Sequence, residues 1–399
     1  MTPRIILSAA LAALLASSAN SQAGGAAAAP RVVQTQNGPV RIEALAALEE
    51  PWALAYLPDG RLLVTEKPGR LRIFGNGRLS DPVGGVPAVA YLGQGGLLGV
   101  AVDPAFDRNH LIYLAYAEAA AVQPADAHET DEPRFGGFLD MKDTAVKGLA
   151  VARARLDGNR LQDLQVIYRQ EPKTIGRGHF GGRMAFAPDG TLFITSSERQ
   201  RFDPAQDPSG NLGKTVRINS DGSIPNDNPF VNAKGTRPEI WSLGHRNILG
   251  IAFQPGTGRL WEAEMGPKGG DEFNLIERGA NYGWPIVSEG SHYNDAAIPK
   301  HATHPEFKPP VRSWTPTISP SSLAFYSGTR FPAWQGNAFI GGLSGQALIR
   351  LTLSGTQVTG EERIGWGKRV RDVVQAPDGS LTVITDGKDA ELLRLTPAS

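Results

Sequence analysis

The stretch MAFAPDGTLFITS, Met184 to Ser196, is an apolar strand, a Pro188-Asp189-Gly190 turn and a second apolar strand. Variants of it stand at five other places: LAYLPDGRLLVTE from Leu54, VAVDPAFDRNHLIYLAY from Val100, IAFQPGTGRLWEAE from Ile251, LAFYSGTRFPAWQGNAFIGG from Leu323 and VVQAPDGSLTVITD from Val373. In the clearest copies Pro presets the first turn dihedral, Asp bonds its own backbone, and Gly takes the positive φ that closes a bulged hairpin. Each copy predicts a β-hairpin. A lone hairpin cannot bury both faces, whereas hairpins extended into small sheets and stacked around an axis can, which is the logic of a propeller. The turns, at Asp59, Asp103, Asp189, Pro255, Gly328 and Asp378, lie 44, 86, 66, 73 and 50 residues apart. That spacing leaves roughly 60 residues per unit, room for four strands and a long loop. The expected fold is all-β: a six-bladed β-propeller with four-stranded antiparallel blades around a central channel, one domain over residues 39–399.

Forty basic residues balance forty acidic ones, so composition offers no support for nucleic-acid binding or for an anionic membrane surface. At the N-terminus Arg4 precedes an apolar run from Ile5 to Leu15 and small residues up to Ala23. That pattern predicts a signal peptide over residues 1–23, a flexible linker over 24–38, and export to the periplasm or beyond. The apolar run is too short for a permanent anchor, and no later stretch approaches the roughly 20 apolar residues of a transmembrane span. Cysteine is absent, which excludes disulfides, thiol nucleophiles, zinc–thiolate sites and iron–sulfur clusters. Redox chemistry would need a bound cofactor.

Two connections are long for plain loops: SSERQRFDPAQDPSGNLGKTVRINSDGSIPNDNPF from Ser196, and EMGPKGGDEFNLIERGANYGWPIVSEGSHY from Glu264. His179, in RGHFGGRMAFAPDG, stands at a strand entrance among Gly178, Gly181 and Gly182. Glycines there make room for a ligand, so His179 is the first candidate proton acceptor, with a hydrogen-bonded structural role as the alternative. Arg246, in SLGHRN, stands at another entrance. Equivalent entrances converge on one end of a propeller channel, which would bring these two residues to a common cavity. Arg246 suits a developing oxyanion or a carboxylate, or else a salt bridge locking two blades. In EMGPKGGDE, from Glu264, carboxylates and turned carbonyls form the mixed oxygen set that hard cations such as Ca²⁺ take, although the spacing is not that of an EF-hand. Arg369 and Arg371 fall on one face of a strand by the period-two rule and imply an anionic partner. His301 and His304, an HxxH pair without further ligands, read as a polar loop.

Taken together, the phrases GQGGLLGVAVDPAF, GHFGGRMAFAPDG, DGSIPNDNPF, EIWSLGHRNILGIAF, EMGPKGGDEFNLIERGANYGWP and RVRDVVQAPDG resemble the soluble pyrroloquinoline-quinone (PQQ) dependent glucose and aldose sugar dehydrogenases. The resemblance implies a six-bladed propeller that binds PQQ and Ca²⁺ at one mouth and oxidises aldoses at C1 to the lactone, passing electrons to an external acceptor. It implies that His179 removes the proton of the anomeric hydroxyl and that Arg246 stabilises charge on the reduced quinone. Gln94 would contact the substrate, and Asn247, Arg369 and Arg371 would hold PQQ. The carbonyls of Gly266 and Pro267 would bind a calcium beside the quinone, while Glu272 and the Tyr282 carbonyl would belong to a second, structural calcium. Two positions depart from the glucose-type pattern, as in the aldose branch: Gly178 replaces an aspartate before the histidine, and Ser344 replaces a cofactor-binding lysine. The imidazole then needs another group to orient it. Substrate preference would depend on loops at the mouth, including the insertion from Gln123 to Lys142.

Two other classes fit a propeller of this kind. A calcium-dependent lactonase would use a channel calcium and a histidine but leave Arg246, Arg369 and Arg371 without an obvious task. A non-catalytic exported binding platform would keep the architecture alone.

Overall fold

The structure is a computed structural model and describes residues 30–130 and 143–398. The expected signal peptide and residues 131–142 of the insertion lie outside the described residues. In four of the predicted turns the aspartate side chain accepts the backbone N–H two residues on, Asp59 from Arg61 (3.0 Å), Asp103 from Ala105 (2.8 Å), Asp189 from Thr191 (2.9 Å) and Asp378 from Ser380 (2.9 Å). Gly190 in the middle turn takes φ +84°, a region closed to most side chains.

Each hairpin supplies the first two strands of a blade, and the sheets are six and antiparallel. The first strands are Pro51–Tyr56, Leu97–Val102, Gly181–Phe186, Asn247–Phe253, Ala324–Phe325 and Val370–Gln375. Each touches the next, and the last touches the first, so they line a closed ring. The core fills the spaces between blades, as where the Trp261 ring of the fourth blade lies against Phe325 of the fifth with ring centroids 6.4 Å apart. Removing these paired apolar faces from water drives the ring shut.

Closure is non-local. Strand Gly38–Leu48 pairs with Ala390–Pro397, so the sixth blade joins the two ends of the chain, and Arg31–Thr35 adds a fifth strand to it. Residues 31–35 are therefore not the flexible linker expected over 24–38. The Ala/Gly/Pro composition stops at Pro30, and the β-branched segment Val32, Val33 and Thr35 folds back through a tight turn at Gln36-Asn37, a hairpin signal that the composition outweighed.

The channel holds two cavities. One, of about 360 Å³, opens at the strand entrances and includes Trp52 and Arg371 in its wall. The other, of about 390 Å³, lies further along the same strands and includes Leu54 and Asp372. Between them Arg183 pairs with Asp372 (2.9 Å) and donates to the carbonyls of Trp52 (3.2 Å), Ser321 (2.6 Å) and Arg371 (3.1 Å). One buried cation thus ties blades one, three, five and six together.

Candidate active site

His179 precedes the first strand of blade three with φ +49° and is 5% exposed. Its ring Nδ1 lies 2.5 Å from Glu198 Oε1. A carboxylate only accepts, so Nδ1 carries the proton and Nε2 keeps its lone pair. Glu198 therefore orients the imidazole that Gly178 leaves without an adjacent carboxylate. It follows the second strand of the same blade and also accepts the N–H groups of Phe202 (3.0 Å) and Arg201. Burial pushes its pKa up, but the His179 Nδ1–H that it accepts and the Arg246 charge outweigh burial, and the pKa ends below the usual carboxylate value. For His179 burial and the Arg246 charge outweigh Glu198 and lower the pKa below 6.5, so the ring is neutral near pH 7.

The loop around this pair is strained. His179, Arg199, Gln200 and Phe202 all have positive φ, a cost that recurs where function requires it. Arg199 holds the loop down: it donates to the carbonyls of Gly178 (2.8 Å), Lys147 (2.5 Å) and Gly176 (2.5 Å) and covers the Phe180 ring. Gln94 Oε1 accepts the His179 backbone N–H at 2.9 Å, which leaves the amide end of Gln94 at the cavity wall.

Arg246 shares a narrow pocket with His179, Glu198, Pro267 and Trp284. Its Nη1 donates to the carbonyls of Met265 (2.9 Å) and Gly266 (2.7 Å), and its guanidinium lies 5.2 Å from the Trp284 ring centroid. Among the described residues it makes no ion pair. Within the described residues its charge is held by dipoles, the carbonyls of Met265 and Gly266, rather than by a salt bridge between blades.

The adjoining 360 Å³ cavity is walled by Gln94, Asn247, Arg369, Arg371, Lys67 and Asp386, among others. Asp386 accepts Arg369 Nε (2.9 Å) and Arg371 Nε and Nη2 (2.8 and 2.6 Å). The two arginines meet through this carboxylate rather than through simple alternation, because the strand begins at Val370 and bulges before Asp372. Three cations, Lys67, Arg369 and Arg371, against two carboxylates, Glu50 and Asp386, leave the wall net positive. Asn247 is fully buried and its Oδ1 finds no partner, a cost that a bound ligand would relieve. Ser344 sits in a hydroxyl cluster with Ser319 (2.8 Å) and Thr317 (3.3 Å). Lys67, unmarked by any motif, lies in the same wall and donates to Gly93 O at 2.8 Å.

The proposed metal ligands divide. Pro267 is in the narrow pocket with Arg246, and the Gly266 carbonyl accepts from that same arginine. Glu272 and Tyr282 line a separate cavity of about 10 Å³ with Glu264, Gly266 and Ser288, close to the size one water or ion fills. Among the described residues no three metal-binding side chains converge on a point, so any site there must mix carboxylates with carbonyls. Glu272 suits one: burial first, and then the neighbouring charge of Glu264, raise its pKa well above the carboxylate range. A cation would relieve both. His301, read as part of a plain polar loop, is buried beside this cavity, with Nε2 3.1 Å from the Tyr282 carbonyl and Nδ1 3.1 Å from Glu289. His245 is also buried, its Nδ1 3.1 Å from Glu264.

A sequence model of the family described as Glucose / Sorbosone dehydrogenase matches residues 48–394. The chain is 40% identical over 358 residues to aldose sugar dehydrogenase YliI of Escherichia coli, covering 88% of this chain and 91% of that one. The crystal structure of the soluble aldose sugar dehydrogenase of E. coli in its apo-form superposes with a TM-score of 0.81 at 38% identity, over 90% of this chain and all of that one. The PQQ-bound aldose sugar dehydrogenase of Streptomyces coelicolor gives 0.68 at 28% identity, over 90% of this chain and 98% of that one. With a family match that runs through all six blades and a relative similar over nearly its whole length, the chain belongs to the glucose/sorbosone dehydrogenase family of oxidoreductases.

Proposed function

We propose that the protein oxidises aldose sugars at C1 to the lactone, with PQQ and Ca²⁺ as cofactors. The observation that carries this reading is a neutral His179, its Nδ1 fixed by Glu198, sharing a pocket with Arg246 beside a positively charged cavity. Bound PQQ would supply the acceptor for the hydride that leaves C1. His179 Nε2 takes the proton of the anomeric hydroxyl, so one hydride and one proton leave the sugar and C1 becomes a carbonyl. Arg246 offers a preorganised cation to charge that develops opposite the sugar. Gln94 hydrogen-bonds the substrate. Asn247, Arg369 and Arg371 hold the carboxylates of PQQ, with Lys67 taking up part of the charge that Ser344 does not provide. Gly266 and Pro267 offer carbonyls to one calcium, and Glu272 with the Tyr282 carbonyl to another. The N-terminal pattern from Arg4 to Ala23 favours an exported enzyme, periplasmic or secreted, that reduces an external acceptor. Among the described residues no helix is long and apolar enough to cross a membrane.

The test is to supply PQQ and Ca²⁺ to the purified protein and follow reduction of an acceptor dye with a panel of aldoses. Dye reduction that requires both PQQ and sugar is the expected result. Lactone hydrolysis without PQQ, or an unchanged melting temperature when PQQ is added, would overturn the reading.

Two further outcomes separate the binding groups. Arg369→Ala and Arg371→Ala should weaken PQQ binding by about 10-fold or more, the scale of a lost charge-assisted pair, and leave turnover at saturating PQQ within a few-fold. Absorption titration with PQQ measures the first and the dye assay the second. Chelation of calcium should lower both turnover and melting temperature, since a cation bound only by the folded state stabilises it. Calorimetry with and without chelator checks this, and no change in either would remove the metal from the proposal.

A further inference from the structure

Gln200 lies in the strained loop after Glu198, with φ +56°. It lines the narrow pocket that His179 and Arg246 share, and it is half-buried. Among the described residues nothing hydrogen-bonds its carboxamide, whereas its neighbours Glu198, Arg199 and Arg201 are all tied down by side-chain bonds. The reason for its position is Gly178. A β-carbon at 178 would stand 2.6 Å from Gln200 Cδ, 3.2 Å from Nε2 and nearer still to Oε1. Only a residue without a side chain lets the Gln200 amide pack against the backbone directly before His179.

We propose that Gln200 is a substrate-contact residue that hydrogen-bonds the sugar hydroxyl on the carbon next to the reacting one. The inference rests on the aldose dehydrogenase reading. A carboxamide offers both a donor and an acceptor, and packed beside the base it meets the hydroxyl adjacent to the anomeric one. Gly178 and Gln200 act as a unit: the bare backbone of the first admits the neutral amide of the second. The amide costs nothing to desolvate as a charge, and it reads hydroxyl position without competing with Glu198 for the imidazole.

The test compares glucose with 2-deoxyglucose in the quinone-loaded enzyme and in Gln200→Gly, which tolerates the positive φ. In the native enzyme kcat/KM should favour glucose. In Gln200→Gly that preference should shrink by about 3- to 10-fold, the size of one neutral hydrogen bond, carried by KM with kcat within about twofold. Gln200→Asn, which also tolerates this backbone, keeps the amide but withdraws it and should fall between the two. PQQ affinity should not move and the melting temperature should not fall, since glycine relieves the positive-φ strain. An equal loss on both sugars, no preference in the native enzyme, or a loss of PQQ in the variants would each overturn the inference. If the native enzyme oxidises no aldose at all, the sugar dehydrogenase reading itself fails. Turnover with an unaltered preference defeats Gln200 alone.

Discussion

Replacing His179 by alanine should lower turnover on aldoses by about 10²- to 10⁴-fold, the usual contribution of a general base, while PQQ binds as before. The separation follows from position. His179 faces the narrow pocket with Arg246, whereas Asn247, Arg369 and Arg371 wall the larger cavity. Dye-linked kinetics measures the first effect and absorption titration the second. A full-speed His179→Ala enzyme would remove the base. The pH profile gives an independent signature. The histidine must be unprotonated to accept a proton, and its pKa is lowered by burial and by Arg246. The acid limb of the activity profile should therefore lie at lower pH than an ordinary imidazole would give. Glu198→Gln should lower turnover by about 10²-fold or more, because an amide no longer fixes which ring nitrogen carries the proton. It should also shift the acid limb further down, since the Glu198 charge is what holds the histidine pKa up. A residue that merely supports the fold would not move that limb.

The fold was legible because its signals are local. Pro188, Asp189 and Gly190 specify a turn within four residues, and six such turns imply a ring. Ring closure was not legible: strand Gly38–Leu48 pairs with Ala390–Pro397, some 350 residues away, and nothing within either segment announces the other. The site divides in the same way. Strand entrances converge on one end of the channel, so His179 and Arg246 were found at two of them. Glu198 was missed because it stands in a polar loop 19 residues from its histidine with no motif around it. Lys67 and Gln200 carry no motif either. Two arginines in Arg369-Val370-Arg371 signalled an anion. The anion they hold in the structure is Asp386, fifteen residues beyond Arg371 and brought back by the next hairpin. Pairings across a hairpin or a ring are set by packing, and a single residue's surroundings in sequence do not contain them.

Asp372→Asn should cost about 3–5 kcal/mol of stability, because it leaves the Arg183 guanidinium buried without its counter-charge. Asp372 Oδ2 also accepts the Leu54 N–H at 2.8 Å, so the variant disturbs blade one as well as blade six. At the per-residue unfolding entropy typical of globular domains, such a loss lowers the melting temperature by roughly 4–6 °C, which calorimetry resolves. Arg183→Met should be destabilising too, since it strands the carboxylate and three carbonyls. The double variant Arg183→Met/Asp372→Asn should lose less than the sum of the two, because removing both charges removes the desolvation cost with the attraction. Additive losses would mean that the pair is not coupled. The consequence reaches the candidate site. Arg183 donates to the carbonyls of Trp52 and Arg371, both in the wall of the larger cavity. A loosened plug should therefore weaken PQQ binding in parallel with stability, while the pH limb set by His179 and Glu198 stays where it was.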